Sequence, residues 1–234
     1  AKSYTNATDP LADVDFFTWP VIVKPVDSAG SKGVTKVETP EDFDAAIQKA
    51  LTHSKSGRFL VEDFLTFESH HSSTDPFTVG GQLHAVSYSD QLFDREADNP
   101  YTPAFIVWPS TMKQEHQDYL TRELQRLMDL LHVGDGIYNV ETVVGSGRIP
   151  YIMEVSPRGG GCKIAELQEM AFCSTLIENE IRKAVGMPLL PIETRPIEGC
   201  WCEMVIHAQP GQEGTFEKVD IRNDILQHHV RTLI

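Results

Sequence analysis

The chain has 234 residues, 41% of them apolar and 23% charged, a composition that excludes a fibre, a low-complexity tail or a disordered chain. Its 34 acidic side chains outnumber 20 basic ones, for a net charge of −14. That sign excludes a broad grip on nucleic-acid backbone but leaves room for an anionic small ligand held by a few local donors.

Residues 1–18 mix Pro10 with Ser, Thr, Asn and Asp and show no sustained period, so they read as an extended lead-in. The run 20–25 is short, β-branched and bounded by prolines, as a buried strand is, and a glycine-bearing loop at 27–33 leads from it to a second strand at 34–37. A helix follows, with Thr39 as N-cap, Pro40 at its first position and Phe43, Ile47, Ala50 and Leu51 at helical spacing. Residues 59–65 return as a strand. Between about 74 and 92, apolar and polar residues alternate around Gly80-Gly81, which predicts a β-hairpin, and the stretch from Arg95 to Pro109 reads as a loop.

From Thr111, the positions Leu120, Leu124, Leu127, Met128 and Leu131 mark an amphipathic helix stopped by Gly134, with its apolar stripe as core packing. Strands at 137–144 and 150–155 flank the turn 145–148. A third helix is expected over about 163–185, then strands at 201–207 and 216–221. This irregular alternation predicts an α+β fold in two lobes with a seam near residue 66.

Cys162, Cys173, Cys200 and Cys202 lack the paired C-x-x-C spacing of a structural zinc site and read as thiols of a reducing compartment. Cys200 and Cys202 read as one face of a strand rather than a redox centre. No apolar run reaches the roughly 20 residues that span a bilayer, and the N-terminus lacks a signal-peptide pattern. A cytoplasmic location is expected, with no membrane and no nucleic acid as partner.

Three groups of residues carry chemistry. In the loop, Gly30 and Gly33 flank Ser31-Lys32; glycines let main-chain N–H groups approach phosphate oxygens, although such a loop is also an ordinary turn. Lys24, in the middle of an apolar strand, calls for an anion beside it or a route to the edge. Glu141 and Glu154 fall in apolar runs on two strands that the turn brings together. Facing carboxylates repel, so they either bracket a hard cation such as Mg²⁺ with nucleotide phosphates or pair with Arg148 or Arg158. In 154–158 a carboxylate, a hydroxyl and a guanidinium alternate at Glu154, Ser156 and Arg158, which an extended backbone projects from one face. Arg158, beside Gly159-Gly160-Gly161, is suited to a bidentate hold on a carboxylate or acyl phosphate. The pairs His70-His71 and His228-His229 can each offer only one ligand to a metal, because neighbours on a strand face opposite ways.

Taken together, Val21-Ile22-Val23-Lys24-Pro25, the loop through Gly33-Val34, Leu60-Val61-Glu62-Asp63-Phe64-Leu65, Asn139-Val140-Glu141 and Glu154-Val155-Ser156-Pro157-Arg158 resemble, in order, the ATP-grasp carboxylate–amine ligases. The resemblance runs over about 19–186 and is strongest to the branch of amino-acid ligases and carbamoyl-phosphate-synthetase-like proteins. It implies an ATP-grasp fold with a lead-in at 1–18, a small lobe at 19–65, a large lobe with the metal site at 66–190 and a partial C-terminal β segment at 191–234. It also implies a fragment lacking an N-terminal Rossmann-like domain.

By the same resemblance, ATP and Mg²⁺ (or Mn²⁺) are the cofactors and a small-molecule carboxylate and an amine the substrates, with a homodimer as one possible assembly. Lys24 would contact ATP phosphates, and Ser28, Gly30, Ser31, Lys32 and Gly33 would close over them. Glu62, Asp63, Phe64 and Leu65 would receive adenine, and Glu68 or His70 would meet the ribose. Glu141 and Glu154 would bridge the metal, with Ser156 where the family usually has Asn, and Arg158 would face the transferred phosphoryl. The implied reaction forms an acyl phosphate from the carboxylate and couples it to the amine. A non-catalytic nucleotide-binding regulator or scaffold, or an ATP-grasp phosphotransferase, is the alternative.

Overall fold

A computed structural model describes residues 1–5, 7–67, 71–97, 101–206, 211, 214–215 and 217–228. Chain order begins with β1 (Lys2–Tyr4), α1 (Thr8–Ala12), a 3₁₀ turn at Val14–Phe16, β2 (Val21–Pro25), β3 (Thr35–Val37), a 3₁₀ turn at Pro40–Asp42, α2 (Phe43–His53) and β4 (Phe59–Asp63). It continues with β5 (Ser72–Thr74), β6 (Phe77–Val79), β7 (Gln82–His84), β8 (Asp90–Asp94), β9 (Thr102–Trp108), α3 (Gln114–Leu131), β10 (Gly136–Ile137), β11 (Asn139–Gly145) and β12 (Ile149–Ser156). It ends with α4 (Ile164–Ala171), α5 (Leu176–Ala184), β13 (Trp201–Met204) and α6 (Asn223–Leu226).

Four antiparallel sheets form among the described residues, in the orders β1-β4-β2-β3, β10-β6-β7, β12-β11-β5 and β13-β9-β8. With helices packed on them, the class is α+β, as expected.

In α2, Phe43, Ala46, Ile47 and Ala50 recur at helical spacing and are buried against Val21, Val23, Val37, Phe59 and Val61. This core draws only on residues up to 61, and the other clusters of the described residues draw on residues from 77 onward. In α3, Leu120, Leu124 and Met128 are buried, and the helix ends at His132 in the left-handed conformation. Leu131 is 62% exposed and no part of the core.

The lead-in is not merely extended. β1 pairs with the edge of β4, Tyr4 stacks on Phe59 at 5.6 Å, and Lys2 and the Tyr4 hydroxyl both reach Asp13, at 2.8 and 2.9 Å. These are long-range partners, which local periodicity does not report.

The expected loop at 95–109 is a strand in its second half. Ile106 and Trp108 are buried, and a register shift between Leu92 and Phe93 sets Pro103 opposite Phe93, where its missing N–H is tolerated. The expected single helix over 163–185 is two helices. The Arg195 guanidinium takes the Glu169 and Met170 carbonyls at 2.8 and 2.7 Å, Thr175 turns left-handed, and the chain restarts at Leu176. The strand expected at 201–207 ends at Met204, with His207 outside the described residues; 217–222 form no strand, and Phe216 lies outside them.

Candidate active site

The first sheet presents one apolar and one polar face, because side chains alternate along each strand. Val21 and Val23 are buried in the cluster with α2 and Pro25 is buried on the same face, while Ile22 and Lys24 point the other way. Register sets Glu62 opposite Ile22, diagonal to Lys24, and their side chains meet as an ion pair at 2.7 Å with 21% and 22% exposure. Lys24 is therefore held in place rather than escaping to the strand edge, and the Glu62 carboxylate is already engaged. Lys36, which no motif singled out, stands opposite Ile22 on the same face. Its Nζ is 4.2 Å from the centre of the Phe64 ring and 2.7 Å from Glu38. Phe64 N–H donates to the Pro20 carbonyl at 3.0 Å, fixing the start of the segment that leaves the sheet, while Asp63 is exposed and Leu65 half-buried.

The loop after β2 takes left-handed backbone at Gly30, Ser31 and Gly33. A Cβ on Gly33 would stand 2.8 Å from that of His53, so only glycine lets the loop lie on α2. Asp27 anchors its start, accepting from the Ser54 hydroxyl at 2.8 Å and the Ser56 N–H at 2.6 Å, bonds that hold its carboxyl below the ordinary range. Ser28 is half-buried and Lys32 exposed.

The second group is built on the β11–β12 hairpin. Glu141 and Glu154 occupy the same rung of the ladder and Ser73 of β5 flanks Glu141 on its other side, so all three share one face. Val140, Ile152 and Val155 pack the opposite face with Leu124 and Met128 of α3. Burial raises the pKa of Glu141, and the facing Glu154 raises it further, while Lys24 and Arg158 pull it back. That Lys24 acts on Glu141 places the polar face of the first sheet beside the hairpin. The join is reinforced where Thr66 and Ser146 exchange a hydroxyl contact of 2.8 Å and a main-chain bond of 2.7 Å.

Among the described residues neither glutamate forms an ion pair, and Lys24 and Arg158 are the cations that act on Glu141. Ser156 Oγ donates to Glu154 Oε1 at 2.8 Å, its oxygen keeping lone pairs. Among the described residues no group of three or more His, Cys, Asp or Glu gathers to enclose a metal. Two hard carboxylates and a hydroxyl on one face do fit Mg²⁺, which keeps waters and phosphate oxygens among its ligands. His71 packs edge-on between Phe67 and Phe93; His70, His229 and Glu68 lie outside the described residues.

The straight projection of 154, 156 and 158 stops at Ser156. Pro157 brings no N–H to the ladder, and Arg158 N–H turns back to the Ser156 carbonyl at 2.8 Å. The exposed Arg158 donates from Nη1 to its neighbour Gly159 O at 2.7 Å. The glycines that follow rest on Asp75, a residue sequence reasoning missed because it falls in the run from 74 that reads as an alternating hairpin. Asp75 is fully buried; its carboxylate accepts from Gly160 N–H at 2.8 Å and from Asn139 Nδ2 at 3.0 Å.

Burial pushes the Asp75 pKa up to about 6 against these bonds and the nearby Arg158. An unfolded Asp releases its proton near pH 4, so between about pH 4 and 6 the folded chain binds the extra proton and stability falls as pH rises, by at most about 3 kcal/mol. The urea midpoint should therefore drop more across pH 4 to 7 in the parent than in Asp75→Asn; equal drops would refute this.

A cavity of about 360 Å³ opens just past Arg158, lined in part by Gly160, Gly161, Cys162, Lys163 and Glu166. A larger hollow of about 550 Å³ at Lys2–Asp13 lies among none of these groups, so volume alone does not locate the chemistry. Cationic Lys24, paired carboxylates, a left-handed glycine loop and Arg158 are the kinds of group that suit a phosphate-bearing anion with a divalent cation.

Residues 17–166 match the ATP-grasp domain model, and the chain belongs to that family. It is 44% identical over 180 residues to a formate-dependent phosphoribosylglycinamide formyltransferase of Synechococcus sp. (strain CC9902), covering 76% of this chain and 44% of that one. In fold it is similar to an L-amino acid ligase from Bacillus licheniformis, with a TM-score of 0.59 at 19% identity over 75% of this chain and 41% of that one. It is also similar to the biotin carboxylase domain of Hydrogenobacter thermophilus 2-oxoglutarate carboxylase, solved with MgADP, with a TM-score of 0.64 at 15% identity over 84% of this chain and 43% of that one. The chain spans about half the length of the curated relatives it matches. Among the described residues no helix is long and apolar enough to cross a membrane, and all four cysteines are free.

Proposed function

We propose that this chain carries the ATP site of a ligase that activates a small carboxylate and couples it to an amine. The observation that supports this best is the shared rung of Glu141 and Glu154, with Lys24 and Arg158 close enough to act on the half-buried Glu141. In this reading residues 19–65 form a small lobe and 66–190 a large one, and Thr66, the first residue of the large lobe, is tied to Ser146 of its hairpin. Main-chain groups at Asp63 and Leu65 would receive the adenine, Lys24 the phosphates, and the loop 28–33 would cover them.

Glu141, Glu154 and Ser156 would hold Mg²⁺, which supplies charge neutralisation on phosphate oxygens when bound. A carboxylate oxygen attacks the γ-phosphorus as the bond to ADP breaks; the amine then attacks the acyl carbon and phosphate leaves. Arg158 would stabilise the charge gathering on the transferred group, and the cavity beside Gly160 and Gly161 would take the substrates. The relatives named as a formyltransferase using formate and as an L-amino acid ligase support a small carboxylate and an amine. The four free thiols fit a reducing cytoplasm.

Calorimetry should detect ATP binding that strengthens with Mg²⁺. Arg158→Ala should keep the Kd within about threefold and lower ADP formation by about 100-fold or more, as loss of a transition-state donor does. No binding at millimolar ATP, or full turnover in Arg158→Ala, would overturn the reading.

A further inference from the structure

The carboxylate of Asp75 has an arrangement that packing alone does not require. Its two oxygens face two donors, Gly160 N–H at 2.8 Å and Asn139 Nδ2 at 3.0 Å, and Asn139 is braced in turn on Ser73 Oγ at 3.1 Å. Only a carboxylate accepts on both sides; an amide in its place would turn an NH₂ toward one of the two donors. The main chain of Asp75 is fixed as well, its N–H donating to Gln168 Oε1 at 2.6 Å and its carbonyl accepting from Gln168 Nε2 at 3.3 Å, and Gln168 is fully buried.

The glycine loop sits directly on this group. A Cβ on Gly160 would lie 2.7 Å from Asn139 Nδ2 and 2.9 Å from Asp75 Oδ1, so no side chain fits between them. Among the described residues Asp75 has no ion-pair partner, and Arg158 is the cation that acts on it. A buried charge among neutral donors is expensive to keep. Arg158 is itself exposed, and its guanidinium donates to the Gly159 carbonyl of this same loop.

We infer that Asp75 is a positioning residue for Arg158, seating the loop 158–161 through Gly160 N–H and holding the guanidinium over the site with its buried charge. This rests on the reading of Arg158 as the group that faces the transferred phosphoryl. A clamp that served stability alone would leave catalysis per folded molecule unchanged, which separates the two roles.

The test compares the parent chain with Asp75→Asn and with Asp75→Asn/Asn139→Asp, which moves the carboxylate to the neighbouring side chain. Mg²⁺-ATP affinity is read by calorimetry, ADP formation at saturating ATP by a coupled assay, and amide exchange at Gly160 by mass spectrometry or NMR. Asp75→Asn should hold the Kd within about threefold while ADP formation falls about 10- to 100-fold, the expected cost of a misplaced group. The double variant should recover at least about half of that loss on a logarithmic scale, since charge and donor–acceptor pairing are both restored. Gly160 should exchange at least about tenfold faster in Asp75→Asn, with β11 and β12 amides unchanged. Unaltered ADP formation, or unaltered Gly160 exchange, overturns the inference. A parent chain that forms no ADP overturns the ligase reading instead, and Gly160 exchange then still decides whether Asp75 seats the loop.

Discussion

Replacing Glu141 with glutamine is expected to reduce Mg²⁺-dependent ATP affinity by about 100-fold or more while leaving the fold as stable as the parent or more stable. The two effects come from one geometry. Glu141 and Glu154 share a rung, and burial together with the facing carboxylate raises the Glu141 pKa. Like charges directly opposite on a sheet destabilise it by a few tenths to about 1 kcal/mol, and glutamine removes that repulsion while keeping the shape. A hard cation, however, needs the anionic oxygen, and a neutral amide is a poor substitute. Calorimetry with and without Mg²⁺, beside urea unfolding at pH 8, checks both halves. Retained Mg²⁺ dependence would remove Glu141 from the metal site, and a marked loss of stability would show the carboxylate to be structural.

Lys24→Ala is expected to weaken ATP binding about 10- to 100-fold, the worth of a charge-assisted hydrogen bond to phosphate. Here stability should fall as well, by about 1 kcal/mol, because Glu62 loses its 2.7 Å partner at a position only 22% exposed. The double variant Lys24→Ala/Glu62→Gln removes the orphaned charge, so it should regain stability and regain no affinity. If affinity returned with stability, Lys24 would act through the sheet and not on the nucleotide. The loss from Lys24→Ala should be present with and without Mg²⁺, whereas that from Glu141→Gln should appear only when the cation is supplied. The two variants therefore separate the phosphate contact from the metal contact.

Much of this arrangement is legible in the chain. The β-branched run at 21–25 with lysine at its fourth position, the glycine loop and the return strand at 59–63 follow from alternation and turn chemistry. So does the hairpin that carries Glu141 and Glu154, but a four-residue turn at 145–148 would set Glu141 opposite Ile152, and it is the register shift between Glu141 and Thr142 that brings Glu154 abreast. The helices at 43–53 and 114–131 follow from their buried stripes.

The misses have a common cause. β1 is three residues long and has no period of its own; it exists because β4 offers an edge and Phe59 a ring for Tyr4. β9 contains a proline and was hidden until β8 and β13 flanked it. The break at 172–175 depends on Arg195, about twenty residues further along. Asp75 looks like one polar position of an alternating strand until Gly160, 85 positions later, is laid on its carboxylate.

The sequence by itself determined the α+β class, the strand–loop–strand unit and the hairpin that carries Glu141 and Glu154, because each is written in periods and turns a few residues long. Only the tertiary structure decided that Lys24 is held by Glu62, that the chain bends at Pro157 before Arg158 and that Asp75 lies beneath the glycine loop. The first two depend on strand register and on a main-chain turn, and the third joins segments far apart in the chain. Contacts of that kind form only when burial brings distant segments together and leaves each polar group one partner within reach.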